Sequence, residues 1–298
     1  MQRRKFLQHS ILTIGAISLG KQKILSAMKV EPWKIQMLTH DIGIFTERGG
    51  TIAFHFSKEG ITVIDAQFPD TAQHLIEELK KRKSEPFHLL INTHHHGDHT
   101  SGNIAFKGLL STVVAHENSL INQKKVAVAN KTEDKQLYPN LTFGKELNRN
   151  IGKEKVSLNY YGAGHTNGDS VIHFKHANIA HVGDLVFNRR HPFVDRSAGA
   201  NIQSWINVLD LTLKNFDNKT IFVCGHSGEN YDVKGTKDML LYFQDYLGNV
   251  LKLVEYGIKE GKSKEEILKA TEIPGSPDWK GDGIERPLTA AYEELTNV

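Results

Sequence analysis

Ile91-Asn92-Thr93-His94-His95-His96-Gly97-Asp98-His99-Thr100-Ser101-Gly102-Asn103 is the stretch whose reading decides the fold. Within it His94, His96, Asp98 and His99 keep the spacing H-x-H-x-D-H, which puts four metal donors into six consecutive residues after an apolar run. Imidazole and carboxylate donors suit zinc, with iron and manganese as competitors. A short turn cannot wrap all four around one ion, so the spacing predicts two adjacent metals. A histidine-rich surface loop would be the bland reading. Against it stand the mid-chain position and the isolated donors downstream.

Upstream, Ile52, Phe54 and Phe56 alternate, the chain turns at Glu59-Gly60, and residues 61–65 resume, which predicts two adjacent strands. Asp70 is expected to cap a helix with Ala72, Leu75, Ile76 and Leu79 on one face. Residues 88–91 return to a buried strand. The cluster thus sits at a strand end, where α/β proteins place ligands. Downstream come a short helical stretch to Leu110 and a strand over 112–115. Residues 123–147, rich in Lys, Asn and Thr, read as the least structured part, a lid or a solvated excursion. Residues 157–161, 171–174, 179–182 and 220–224 are strand-like, and Ile202, Trp205, Ile206, Leu209 and Leu213 keep helical spacing. Leu240 to Ile258 describe a long amphipathic helix ending at Gly261, and Ser263 with Glu266 a capping box for a short one. No Pro- or Ser-rich linker divides the chain. Two similar α/β halves sharing one core are expected.

The 298 residues are 39% hydrophobic and 24% charged, an ordinary globular composition with enough apolar material for a large core. The formal net charge of +3 comes from residues 1–27, which hold Arg3, Arg4, Lys5, Lys21 and Lys23 and no acid. The remainder is slightly acidic, so no nucleic-acid partner is expected. The single cysteine, Cys224, excludes an intramolecular disulfide and any multi-cysteine zinc site. Residues 1–27 run from a basic start through an apolar middle to Leu25-Ser26-Ala27, the pattern of a signal peptide. The apolar run is shorter than the roughly 20 residues of a spanning helix, so no stable membrane anchor is expected. Arg3-Arg4 before Lys5-Phe6-Leu7 resembles a twin-arginine leader, whose route carries folded, often cofactor-loaded proteins. The expectation is an exported protein, periplasmic or secreted, with residues 28–298 forming one domain that takes a small-molecule substrate. Oligomeric state is not legible.

Three further donors lie at strand ends beside glycines: His165 in Gly162-Ala163-Gly164-His165-Thr166-Asn167-Gly168-Asp169, Asp184 in Val182-Gly183-Asp184, and His226 in Cys224-Gly225-His226-Ser227-Gly228. Glycine lets the backbone turn tightly around a bound group. His40, His55, His74, His88, His116, His173, His176 and His181 lack this framing and are read as structural.

The set His94, His96, Asp98, His99, His165, Asp184 and His226, in this order, resembles the metallo-β-lactamase-fold hydrolases over the chain from about residue 30. The resemblance implies an α/β (α+β) fold, a four-layer αβ/βα sandwich of two mixed sheets with helices outside. It implies two Zn2+, with Fe or Mn as substitutes. His94, His96 and His165 would hold one, Asp98, His99 and His226 the other, and Asp184 would bridge them. Asp65 and Asp169 would orient ligand imidazoles or cap turns. A metal-bridging hydroxide would then cleave an ester, thioester or amide-like bond, with Asp98 as the catalytic residue that orients the nucleophile or shuttles its proton.

Departures narrow the branch. β-Lactamases of this fold usually carry Cys or Ser where this chain has Asp184, which is instead similar to the glyoxalase-II, lactonase and phosphodiesterase branches. Acyl-homoserine lactonases carry Tyr where Phe187 stands. Most members carry Asp where this chain has Asn167. The chain looks most like exported binuclear zinc hydrolases with a bridging aspartate. The alternatives are β-lactam hydrolysis and, in another class, an iron-dependent persulfide dioxygenase-like oxidoreductase. Diiron flavoproteins are disfavoured by His96. Residues 188–201 follow the expected bridge, and Arg189, Arg190 and His191 are expected either to face an anionic substrate group or to sit in a solvated, salt-bridged loop.

Overall fold

A computed structural model describes residues 32–297. The expected leader and its cleavage point lie outside the described residues.

The chain runs β1 (Lys34–Met37), β2 (Ile42–Thr46), β3 (Ile52–Ser57), β4 (Gly60–Ile64), α1 (Pro69–Arg82), β5 (Phe87–Ile91), α2 (Gly97–Thr100), β6 (Thr112–His116), α3 (Glu117–Asn130) and β7 (Leu141–Phe143). There follow β8 (Glu146–Ile151), β9 (Glu154–Asn159), β10 (Val171–Phe174), β11 (Ile179–Asn188), α4 (Ile202–Asn215), β12 (Ile221–Ser227), β13 (Lys234–Gly235), α5 (Lys237–Lys259), α6 (Lys264–Ile267) and α7 (Glu285–Thr296). β1 to β7 form one sheet in sequence order, and the second runs β13-β12-β11-β10-β9-β8. Both are mixed. In the first, β1 to β4 pair antiparallel and β4 to β7 parallel. In the second only β11 and β12 are parallel.

The alternation read in the sequence explains the layers. Ile42, Ile44, Ala53, Ile64 and Ile91 of the first sheet meet Val156, Leu158, Ile172, Phe174 and Val223 of the second. The outer face of the first sheet packs Phe54, Val63 and Leu90 against Leu75, Ile76 and Leu79 of α1. That of the second packs Val182, Val186 and Phe222 against Trp205 and Leu209 of α4, Phe243 and Leu247 of α5, and Leu288 of α7. Each such fully buried large side chain contributes ~1.5–3 kcal/mol. The result is the expected four-layer sandwich. No described helix is long and apolar enough to cross a membrane.

Several expectations need correction. Asp70 does not cap α1; the N-cap is Phe68, whose N–H donates to the Thr71 hydroxyl at 3.1 Å, while Asp70 pairs with Arg48 at 2.7 Å. Residues 123–147 are not the least structured part of the chain, for they hold most of α3, then β7 and the start of β8. α3 escaped notice because the residues it buries are Ser119, Asn122, Gln123 and Ala127, which leave no apolar stripe. β11 extends six residues beyond the expected strand, its pairing with β12 shifting register around Gly183. The capping box of α6 forms as read, with Ser263 N–H donating to Glu266 at 2.8 Å and Glu266 N–H to the Ser263 hydroxyl at 3.2 Å.

Candidate metal centre

All seven donors converge at one end of the sandwich. The strand β5 delivers His94, His96, Asp98 and His99 from the first sheet. The second sheet delivers Asp184 from β11, His226 from β12 and His165 from the β9–β10 connection. The sheets are locked together here by Thr51 N–H donating to Gly225 O at 2.9 Å and Ser170 N–H to Thr93 O at 2.8 Å. His181, read as structural, fills that role, its buried Nε2 lying 2.9 Å from Thr51 O.

Two donor groups result. His94, His96, His165 and Asp184 have potential ligand atoms within 4.8 Å of one another, and so have Asp98, His99 and His226. Asp184 touches both: its Oδ2 lies 3.5 Å from His165 Nε2 and 3.4 Å from His226 Nε2, and its Oδ1 lies 3.1 Å from His99 Nε2.

The outer nitrogens fix the tautomers. His96 Nε2 lies 2.9 Å from Asp195 Oδ2, His165 Nδ1 2.8 Å from Phe193 O, and His99 Nδ1 2.7 Å from Asp65 Oδ2. Carbonyl and carboxylate oxygens only accept, so each of these nitrogens carries a proton. The Thr93 hydroxyl donates to Asp65 Oδ2 at 2.7 Å, and His94 Nδ1, 3.0 Å from that hydroxyl, must therefore be the donor. In the neutral rings the inward atoms are lone pairs. Yet His96 Nδ1 stands 2.8 Å from His165 Nε2 and 3.1 Å from His94 Nε2. Three acceptors facing one another have no proton to share; a cation resolves the conflict. The donor set fits divalent metal, and N/O donors of this kind suit zinc.

Electrostatics separates the two groups. Burial, reinforced by His96, takes the His165 pKa down to about 3, and burial together with His99 holds His94 well below its usual value. Burial also opposes charge on His99 and His226, but Asp184, joined by Asp65 at His99 and by Asp98 at His226, outweighs it, raising His226 to about 9 and His99 well above the ordinary range. Burial disfavours ionised Asp98, but the hydrogen bond from His226 and the charges of His99 and His226 together outweigh that, bringing it to about 2. Asp184 is likewise held well below the carboxylate range by His226 and His99 in spite of burial.

The donors open on a cavity of about 310 Å³ lined by His96, Asp98, His165, Asp184 and His226, with Phe187, Arg190, His191, Phe193 and Arg286 around them. Arg190 and His191 are therefore at the site, His191 with its Nδ1 2.8 Å from the Tyr246 hydroxyl. Arg189 does not line the cavity and takes the salt-bridged alternative instead. Its guanidinium lies 4.5 Å from the ring centres of both Tyr242 and Trp279 and pairs with Asp278 at 3.3 Å. Its φ of 59° turns the chain, sending successive side chains to different sides. Of the two aspartates expected to orient ligands, Asp65 faces His99. Asp169 instead accepts from Thr166 N–H and hydroxyl, both at 2.8 Å, and holds the turn after His165.

Two contributors went unseen in the sequence, and a third, Asn167, was legible only as a departure from the family pattern. Asp195, in the loop after β11, orients His96 and lies 3.4 Å from His95 Nε2. Arg286 reaches the cavity from α7, a helix not expected at all. Asn167 braces the His165 turn against α3: its backbone O accepts from Asn118 and its Oδ1 from Asn122, both at 2.8 Å. Gly168 permits that approach, since a Cβ there would lie 2.7 Å from Ser119 N.

Comparison with known proteins agrees with this arrangement. The Metallo-beta-lactamase type 2 of Bacillus sp. (strain 170) is 27% identical over 251 residues, which are 80% of this chain and 91% of that protein. Among solved structures, a metallo-beta-lactamase from Pontibacter korlensis superposes with a TM-score of 0.62 at 21% identity, covering 73% of this chain and 99% of its own. The stereoselective inverting sec-alkylsulfatase Pisa1 from Pseudomonas sp. gives a TM-score of 0.70 at 12% identity, over 87% of this chain and 49% of its own. The family described as the Metallo-beta-lactamase superfamily matches residues 50–226, a span that opens beside the first strands, closes on His226 and contains all seven donors. This chain belongs to the metallo-beta-lactamase superfamily of hydrolases.

Proposed function

We propose that the protein is a binuclear zinc-dependent hydrolase that cleaves an ester, thioester or amide-like bond of a small molecule. The observation that carries this is the pair of donor groups sharing Asp184, with the lone pairs of His94, His96 and His165 directed at one point. Two dications held there supply Lewis acidity and a water made acidic enough to attack near neutral pH. The chain's own residues do the rest. Asp65, Asp195 and the Phe193 carbonyl hold the imidazoles in the tautomer that presents lone pairs inward. Asp98, with its side chain about one third exposed, reaches the cavity as a carboxylate able to accept a proton at Oδ2. Phe187 and Phe193 provide apolar walls that exclude water from the reacting bond.

Cys224 does not serve as a nucleophile. It is fully buried, and burial pushes its thiol up to about 12. The basic leader supports an exported, periplasmic or secreted site of action.

Metal analysis of protein exported by its own host, paired with turnover of thioesters, lactones and phosphodiesters, tests the reading. Two zinc per chain are expected in wild type and fewer in Asp184→Ala. One iron per chain with thiol-dependent oxygen uptake would sink it. A second reading, β-lactam hydrolysis, is favoured by the likeness to the Bacillus metallo-beta-lactamase. Turnover of a chromogenic cephalosporin that disappears in His96→Ala would support it.

A further inference from the structure

Two guanidinium groups line the cavity, each brought there by a different element. Arg190 follows the end of β11, and Arg286 lies in the first turn of α7, sixty residues beyond the family match. Both are exposed. Among the described residues Arg190 makes no ion pair, and Arg286 has only a 3.9 Å contact with Glu285, itself exposed. A solvent-screened contact of that length is worth little. Arg189 and Arg196, close by in sequence, are engaged by Asp278 at 3.3 Å and by Glu293 at 3.7 Å. Of these four arginines, the two left free for a ligand are the two that line the cavity.

Two aromatic rings share the cavity with them. Phe187 stacks on His226 with ring centres 5.4 Å apart and planes at 16°, and Phe193 lies 5.6 Å from the His96 ring. A molecule seated at the metal donors would share the cavity with two aromatic rings and two cations. Guanidinium presents paired N–H donors that match a carboxylate.

We propose that Arg190 and Arg286 bind a carboxylate of the substrate, so that the natural substrate is a small anionic ester or thioester. This rests on the hydrolase reading above.

The test compares the metal-loaded enzyme on 4-nitrophenyl butyrate and on the mono-4-nitrophenyl ester of glutaric acid, of similar length but anionic. The hemiester should be preferred in kcat/KM by about tenfold or more, a difference of ~1.4 kcal/mol, expressed in KM. In the double variant Arg190→Gln, Arg286→Gln that preference should vanish, while Arg286→Lys should retain part of it. Calorimetric binding of glutarate to the zinc-loaded protein gives a readout that needs no turnover. Affinity should fall about tenfold in the double variant, by the same conversion, with circular dichroism confirming the fold. A preference or a glutarate affinity equal in wild type and double variant overturns the proposal. Arginine-dependent glutarate binding without turnover of either ester would instead sink the hydrolase reading and leave the anion site standing.

Discussion

Two loops bring histidines to the centre, and each is anchored by a buried aspartate that receives N–H and hydroxyl hydrogens from a threonine. The loop after β5 is held by Asp65, which accepts Thr93 N–H at 2.8 Å and the Thr93 hydroxyl at 2.7 Å, and faces His99 Nδ1 at 2.7 Å as well. The loop after β9 is held by Asp169, whose partners are the N–H and hydroxyl of Thr166 alone. The missing imidazole changes what the carboxylate does. Asp65 directs a ligand, whereas around Asp169 burial outweighs the two hydrogen bonds and pushes its pKa up to about 7. A buried acid with no basic ring hydrogen-bonded to it is pushed towards its neutral form by desolvation.

The sharpest way to break this contrast is Asp65→Ala. It strips three donors of their acceptor in a fully buried place, and unfolding by denaturant should show a loss of about 3–5 kcal/mol. A loss below about 1 kcal/mol, the worth of a surface pair, would show that Asp65 holds nothing.

The Asp169 side is tested by pH. Its folded pKa lies above the ordinary value of 3.8, so its contribution to stability is full below that value and is lost as pH rises through about 7. Urea unfolding of metal-free protein should therefore show stability falling over that window by up to ~1.4 kcal/mol per pH unit from this group. Asp169→Asn should remove that component, and an unchanged profile in the variant would refute the assignment.

Asp195 extends the Asp65 pattern to the other donor group, since it directs His96 from outside. Asp195→Ala should weaken zinc binding about 10–100-fold in competition with a chromophoric chelator. Wild-type affinity in that variant would show that the ring is set by packing alone. The smallest effect belongs to an exposed aspartate. Asp70 meets Arg48 through both oxygens at 2.7 Å, yet Arg48→Ala should cost less than about 1 kcal/mol, and less still in high salt.

What the sequence disclosed, it disclosed through pattern. Ile61 to Ile64 and Leu89 to Ile91 are runs of strand formers that end where the donors begin, and Trp205, Leu209, Phe243 and Leu247 recur at helical spacing because they cover one sheet. The hidden parts obey other rules. α3 buries amides, with Gln123 and Asn103 both donating to Asn92 Oδ1, so its inner face looks like a solvated one. β8 is an edge strand whose Glu146, Asn148, Arg149 and Asn150 are exposed, so its alternation is lost. Asp195 and Arg286 act through long-range approach, 99 residues from His96 in one case, and local spacing carries no trace of it.

Because the donors are divided between the two sheets, any ion they hold is also a fastener. A chain with one cysteine has no covalent means of tying its halves together, and here the tie would be reversible and set by the surroundings. At a free metal concentration a hundredfold above the dissociation constant, binding to the folded form alone adds about 2.7 kcal/mol to stability. Metal supply would then govern how long the folded chain lasts as well as how fast it works.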